Sequence, residues 1–239
     1  MELETFNNDI TSENDVLTLC SIPESININE IKEKISKYME SRIDYYRCKN
    51  RPPFIEDEFG EYFTAISSDG FEIGGGHCGM DIRTKNNEGI DVTCIIMKQD
   101  ISNEKSLIQN FTSCGSNLDT LFIEKNDEEA VELFMNEYKK KLEKVKEDKN
   151  LTDLYILAYI STNTDIYLAC LQINISKIEF VNSGGFVKGK KDNCVNIILN
   201  NFINSNIGKV TLYKSKKRLE LRLKKNILHQ EFIYKIYTI

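Results

Sequence analysis

Apolar residues recur at helical spacing in several stretches of the chain and at strand spacing through most of the rest. Between about Glu30 and Cys48, the residues Ile31, Ile35, Tyr38, Met39 and Tyr46 fall near one face of a helix. The pair Pro52-Pro53 ends it. Pro53 suits the first position of a second helix, Phe54 to Ser67, with the apolar face Ile55, Phe59, Tyr62, Phe63 and Ile66. A longer helix starts at Asn126 or Asp127 and runs to about Lys149. Its stripe is Val131, Phe134, Met135, Tyr138, Leu142 and Val145, and lysines crowd its last turns, where the helix dipole favours them. A short helix, capped at Ser102 or Asn103 and bearing Leu107, Ile108 and Phe111, is expected before Gly115.

Strand patterns fill the intervals. Met80 to Thr84 and the β-branched run Val92 to Met97 flank the turn Lys85-Asn86-Asn87-Glu88-Gly89 and read as a hairpin. Leu154 to Ile160 and Ile166 to Ile175 follow the long helix, joined by a polar loop, and Ile178 to Val181 gives a short third strand. The tail adds Val195 to Ile203, Lys209 to Tyr213 and the strictly alternating Arg218 to Leu223. Residues 1–28 are polar, an irregular arm with one apolar strand at Val16 to Ile22, and residues 29–239 are expected to form one domain. Helices, a hairpin, a crossover helix and further strands predict an α/β fold, a mixed sheet flanked by helices.

Composition narrows the class. With 239 residues, 41% apolar and 28% charged, the chain can bury a full core. No apolar run approaches membrane-spanning length, and the acidic start is unlike a signal peptide, so a cytoplasmic chain with no membrane partner is expected. Seven scattered cysteines without a C-x-x-C pair read as free thiols, and no zinc site is expected, since neither of the two histidines pairs with a cysteine at ligand spacing. The net charge of −6 conceals a polarity. Lys188 to Lys225 holds eleven basic residues against Asp192 and Glu220, so this segment carries +9 and the remainder −15. Within it Lys214, Lys216, Lys217, Arg218 and Arg222, beside Tyr213, offer a phosphate-binding patch. The same residues also read as charged gatekeepers of an edge hairpin.

The chemistry concentrates between Phe71 and Lys98. Three glycines (74–76) and His77 lead into Asp81 on one strand, and Asp91 opens the next. Two carboxylates on neighbouring strands can share one hard cation, since Mg²⁺ takes oxygen ligands and needs only one or two from the protein. Glu56, Asp57 and Glu58 sit in the first turn of the preceding helix, where they suit its dipole, and Glu61 lies one turn further on. His77 as a general base and Cys78 or Cys94 as a nucleophile are weaker readings, since neither cysteine has a His/Asn partner set.

Over roughly Glu56 to Phe111 this order resembles the restriction-endonuclease-like nucleases, known by the motif PD-(D/E)xK. The resemblance implies a mixed restriction-endonuclease-like sheet and Mg²⁺-dependent hydrolysis of double-stranded DNA, as by a homodimeric type II restriction enzyme. It puts Asp81 at the first aspartate, Asp91 at the second acid, and Glu58 or Glu61 at the helical glutamate. The catalytic set is then Asp81, Asp91, Glu61 and a lysine, with Asp81, Asp91 and Glu61 as metal ligands. The departures are Met80 in place of proline and Thr93 where the motif has its lysine. Lys98 and Lys105 are the rivals for that role, and Gln109 resembles a glutamine some of these nucleases carry. Two other readings stay open: an inactive nucleic-acid-binding protein of the same fold, and a protein-interaction module.

Overall fold

The computed structural model describes residues 14–50, 53–74, 79–97, 106–110, 126–188, 195–213 and 218–238, with backbone alone at 106–110, 187, 188 and 195. Strand β1 is Leu17–Cys20, and helix α1 (Ile28–Cys48) follows. Asn27 caps α1, its side-chain oxygen accepting from the backbone N–H groups of Asn29 and Glu30 at 3.1 and 3.2 Å. Helix α2 is Asp57–Ser67, β2 Phe71–Glu72, β3 Ile82–Arg83, β4 Gly89–Ile96 and β5 Ser106–Asn110. Helix α3 (Asp127–Asp148) leads to β6 (Leu154–Ser161) and β7 (Asp165–Ile173), then a 3₁₀ turn, Ile175–Phe180. Strands β8 (Asn182–Lys188), β9 (Val195–Asn200), β10 (Gly208–Tyr213), β11 (Arg218–Leu223) and β12 (Tyr234–Thr238) complete the chain.

The strands make two sheets. The first runs β1-β7-β6-β4-β3-β2, with β12 also pairing β7. Among its described strand pairs only β4 and β6 run parallel, in the register Asp91↔Ile156 and Thr93↔Ala158, because α3 carries the chain back between them. The second sheet is β5-β11-β10-β9-β8, antiparallel throughout. The fold is therefore α/β, with a mixed sheet flanked by helices.

Two clusters of buried side chains account for the layering. Ile31, Ile35 and Met39 of α1 and Phe63 of α2 pack on Ile82, Ile90, Val92, Leu157, Tyr159 and Leu168, one face of the first sheet. The other face (Ile95, Ile156, Ala158, Ile160, Ala169, Leu171) shares a cluster with the α3 stripe and with Ile197, Val210, Leu212, Leu219 and Leu221 of the second sheet. Ring contacts between Tyr138 and Phe202, 6.1 Å apart, belong to that cluster. Alternation puts successive residues of β4 and β11 on opposite faces, so each strand has one side committed to a core.

Three expectations are corrected. Helix α2 begins at Asp57, not Phe54: Ile55 is buried and the Tyr46 hydroxyl donates to the Phe54 carbonyl at 2.9 Å, which holds that stretch extended. Ser106–Asn110 forms a strand on β11 rather than a helix. So short a segment is a marginal helix, while a sheet edge satisfies its backbone. Ile178 belongs to a 3₁₀ turn, its side chain fully buried in the α3 cluster, and the strand starts only at Asn182. A register shift in β8 between Ser183 and Gly185, the latter at φ +124°, marks a bulge.

Candidate functional site

Strand β3 is only two residues long and covers β4 no further than Gly89 and Ile90. Beyond it the edge of β4 is completed by carboxylates. The Val92 N–H donates to Asp81 Oδ2 at 2.8 Å, and the Cys94 N–H donates to Asp57 Oδ1 at 3.1 Å. Asp81 is anchored by its own backbone, its N–H donating to the Ile90 carbonyl at 2.9 Å. Its carbonyl accepts from Ile73 and Gly74 at 2.7 and 3.1 Å. Gly60 lets α2 come close enough for this arrangement, since a Cβ there would lie 2.9 Å from Cys94 Sγ. Part of what fixes Asp57 and Asp81 is thus plain backbone satisfaction.

Asp91 does not open its strand. It is the third residue of β4 and is partly buried, on the face whose neighbours Ile95 and Met97 pack toward α3. Its carboxyl hydrogen-bonds that of Asp81. Neighbouring carboxylates disfavour each other's charge. Burial, then the Asp81 charge, pushes Asp91 well above the ordinary carboxylate range, with Lys141 of α3 pulling the other way. Burial likewise raises Asp81, although the hydrogen bonds from Val92 and Asp91 favour its ionised form. Both carboxyls are thus shifted toward the protonated form, Asp91 the more strongly.

Glu61 joins from α2. Burial, then the fields of Asp81, Glu72, Asp57 and Glu58, lifts it to about 7. The buried Tyr138 phenol is raised by burial and by the Asp91 charge, and Cys94 by burial and by Asp57. The result is a group of mutually repelling carboxylates from α2, β2, the residue before β3, and β4, with Lys141 of α3 as a cation acting on it. Such a group is stabilised by protons or by an external cation.

The structure brings together Asp81, Asp91 and Glu61 of the predicted residues. Glu58 is exposed on the first turn of α2 and reaches Glu61 only through its field. Lys98, Lys105, His77, Cys78, Lys214, Lys216, Lys217 and the Gln109 side chain lie outside the described residues. Arg218 and Arg222 sit in the second sheet, and each has an Nη2 3.5 Å from an oxygen of the fully buried Glu220 between them. Arg222 also reaches the Tyr213 hydroxyl at 3.3 Å, and the Arg218 guanidinium lies over the Tyr213 ring. Sequence reasoning missed Asp57, Glu72 and Lys141. Asp57 and Glu72 were visible only as ordinary acidic residues. Lys141 sits 50 positions after Asp91, and only the crossover of α3 brings its charge to bear there.

All three carboxylates offer the hard oxygen donors that Mg²⁺ prefers, and Mg²⁺ needs only one or two of them beside water and phosphate. Among the described residues no group of three or more His, Cys, Asp or Glu side chains is arranged to hold a metal ion. The fit is therefore to the Asp81–Asp91 pair, with Glu61 outside it. Among the described residues no helix is long and apolar enough to cross a membrane. Comparison with known proteins finds no matching family model, no matching curated protein and no matching solved structure.

Proposed function

We propose that the protein is a Mg²⁺-dependent nuclease that hydrolyses phosphodiester bonds of double-stranded DNA, with its site at Asp81 and Asp91. One observation carries the reading: two neighbouring carboxyls, Asp81 just before β3 and Asp91 within β4, with raised proton affinity, in a field of further carboxylates. The order helix, short strands, β4, crossover helix and parallel β6 supports it, with the difference that Ser106–Asn110, expected as a helix, is strand β5 of the second sheet. A divalent cation bound there would supply a water of lowered pKa and neutralise charge on the phosphate.

The chain's own groups have distinct parts. Asp81 and Asp91 would hold the cation, which favours their ionised forms. Glu61, titrating near neutrality, accepts a proton from the attacking water. Lys141 takes the cationic part that Thr93 cannot play, since a hydroxyl gives no charge to a developing phosphorane. Arg218 and Arg222 retain one net positive charge beside Glu220 and contribute to phosphate binding with the rest of the basic segment. Incubation with supercoiled plasmid, with Mg²⁺ and with EDTA, tests the activity. Nicking or linearisation only with Mg²⁺ is expected, and sedimentation with a duplex oligonucleotide tests the homodimer. Binding of the duplex without cleavage in any divalent cation would favour the second reading, an inactive DNA-binding protein, for which Thr93 speaks.

A further inference from the structure

At the end of the first sheet lies a pair of thiols that the site above does not use. Cys20 ends β1, and its cross-strand partner in the antiparallel register is Cys170 of β7. Directly opposed residues in such a ladder stand roughly 4.5–5.5 Å apart at Cα, within the span of about 4.4–6.8 Å that a disulfide bridges. Cys170 is buried in the cluster beneath α1 and α2, and Cys20 packs against that same cluster. Both side chains therefore occupy one face of the sheet. Cys20 Sγ lies 3.6 Å from the Cys170 carbonyl oxygen, and both thiols are free.

The two differ in what reaches them. Cys20 is partly exposed, whereas Cys170 has no accessible surface. The Cys170 thiol and the Gln172 N–H face the Cys20 sulfur and draw its proton affinity below that of an ordinary thiol. Its hydrogen bond to Cys20, then burial, holds Cys170 well above. Accessibility and thiolate character together mark an attacking sulfur, and burial beside it marks a resolving one.

We propose that Cys20 and Cys170 form a thiol–disulfide exchange site that takes a small-molecule disulfide, with Cys20 as the attacking sulfur and Cys170 as the resolving one. The Cys20 thiolate forms a bond to one sulfur of the reagent, whose S–S bond breaks and releases a thiolate. Cys170 then loses its proton and attacks Cys20 Sγ. The Cys20–Cys170 bond forms, the mixed disulfide breaks, and the second half of the reagent leaves as a thiol. The protein is oxidised by two electrons, and the reagent is reduced to two thiols. The bridge would fix β1 to β7 across nearly the whole intervening chain.

Oxidised glutathione is the probe. The native full chain is treated, quenched with iodoacetamide, digested and mapped by mass spectrometry, with exposed Cys48 as the internal control. A Cys20–Cys170 cross-linked peptide is expected in the wild type. In Cys170→Ala, Cys20 should hold one glutathione, and in Cys20→Ala, Cys170 should stay reduced. Closing so long a loop should raise Tm by roughly 10 °C, reversibly with dithiothreitol. The wild-type map needs no variant to fold. Two results would overturn the proposal: Cys20 alkylated while Cys48 is glutathionylated, or Cys20 retaining glutathione in the wild type with Cys170 reduced.

Discussion

Each sheet of this protein holds an acid, fully buried in one and partly buried in the other, and the two have opposite surroundings. In the second sheet Glu220 is fully buried, but Arg218 and Arg222 flank it on β11 and face both of its oxygens. In the first sheet Asp91 faces Asp81, with Glu61 and Glu72 nearby and Lys141 as the opposing charge. Glu220 is neutralised by its own strand, so removing it strands two cations. The Asp81–Asp91 pair is relieved by a proton, so removing one member relieves repulsion. An ion group neutralised within the fold and the proposed cation site are told apart by that sign.

Activity gives the largest expected difference. Asp91→Asn and Asp81→Asn should each lower Mg²⁺-dependent plasmid cleavage by at least about 10²-fold. Glu220→Gln should leave cleavage by the folded fraction near the wild-type rate. Wild-type cleavage by either Asn variant would remove the site from these residues. Asn is the better probe at position 81, because Ala would leave the Val92 N–H without its acceptor, at about 1–3 kcal/mol.

Stability should then split in sign. Glu220→Gln is expected to destabilise by about 2–4 kcal/mol, lowering Tm by roughly 10 °C, since it leaves two partly buried guanidinium groups uncompensated. Asp91→Asn without divalent cation should leave Tm unchanged or raise it by a few degrees. Thermal unfolding in EDTA decides it, and a loss at Asp91 as large as at Glu220 would end the contrast.

The pH profile sharpens the same point. Glu61 titrates at about 7, and Asp81 and Asp91 are also raised. Each therefore binds a proton in the folded state at a pH where the unfolded chain has released it. Their contribution to stability is full below the ordinary carboxylate range, about pH 4, and falls as pH rises through neutrality. The wild-type Tm should decline between pH 5 and 8 more steeply than that of Asp91→Asn. Mg²⁺ should restore more of it in the wild type. Parallel curves for the two proteins would show that Asp91 does not titrate there.

The smallest effect belongs to the basic segment. Arg222→Gln should reduce the log–log salt dependence of duplex binding by at most about one unit. The full change is expected only if Arg222 reaches phosphate despite its contact with Glu220. An unchanged slope, measured by anisotropy at several salt concentrations, would assign both arginines to Glu220 alone.

The helix stripes of α1 and α3 and the alternation of β10 and β11 were legible in the chain, because periodic burial leaves a periodic sequence. Ile31, Ile35, Tyr138 and Leu142 are buried as their spacing predicted. That Asp81 would lie against β4 was legible too, since short-range hairpin geometry brings them together. Local pattern carries no information about partners far along the chain. It did not show that β5 would leave its helical pattern for the edge of β11, that Ser183–Gly185 would bulge, or that Asp91 would lie inside its strand. Nor could it place Lys141 at Asp91 or set Cys20 opposite Cys170, 150 residues apart. The sequence by itself determined which faces had to be buried. Tertiary structure decided which charges and thiols met, because strand order and the crossover of α3 are set by packing whole elements, not by neighbours in the chain.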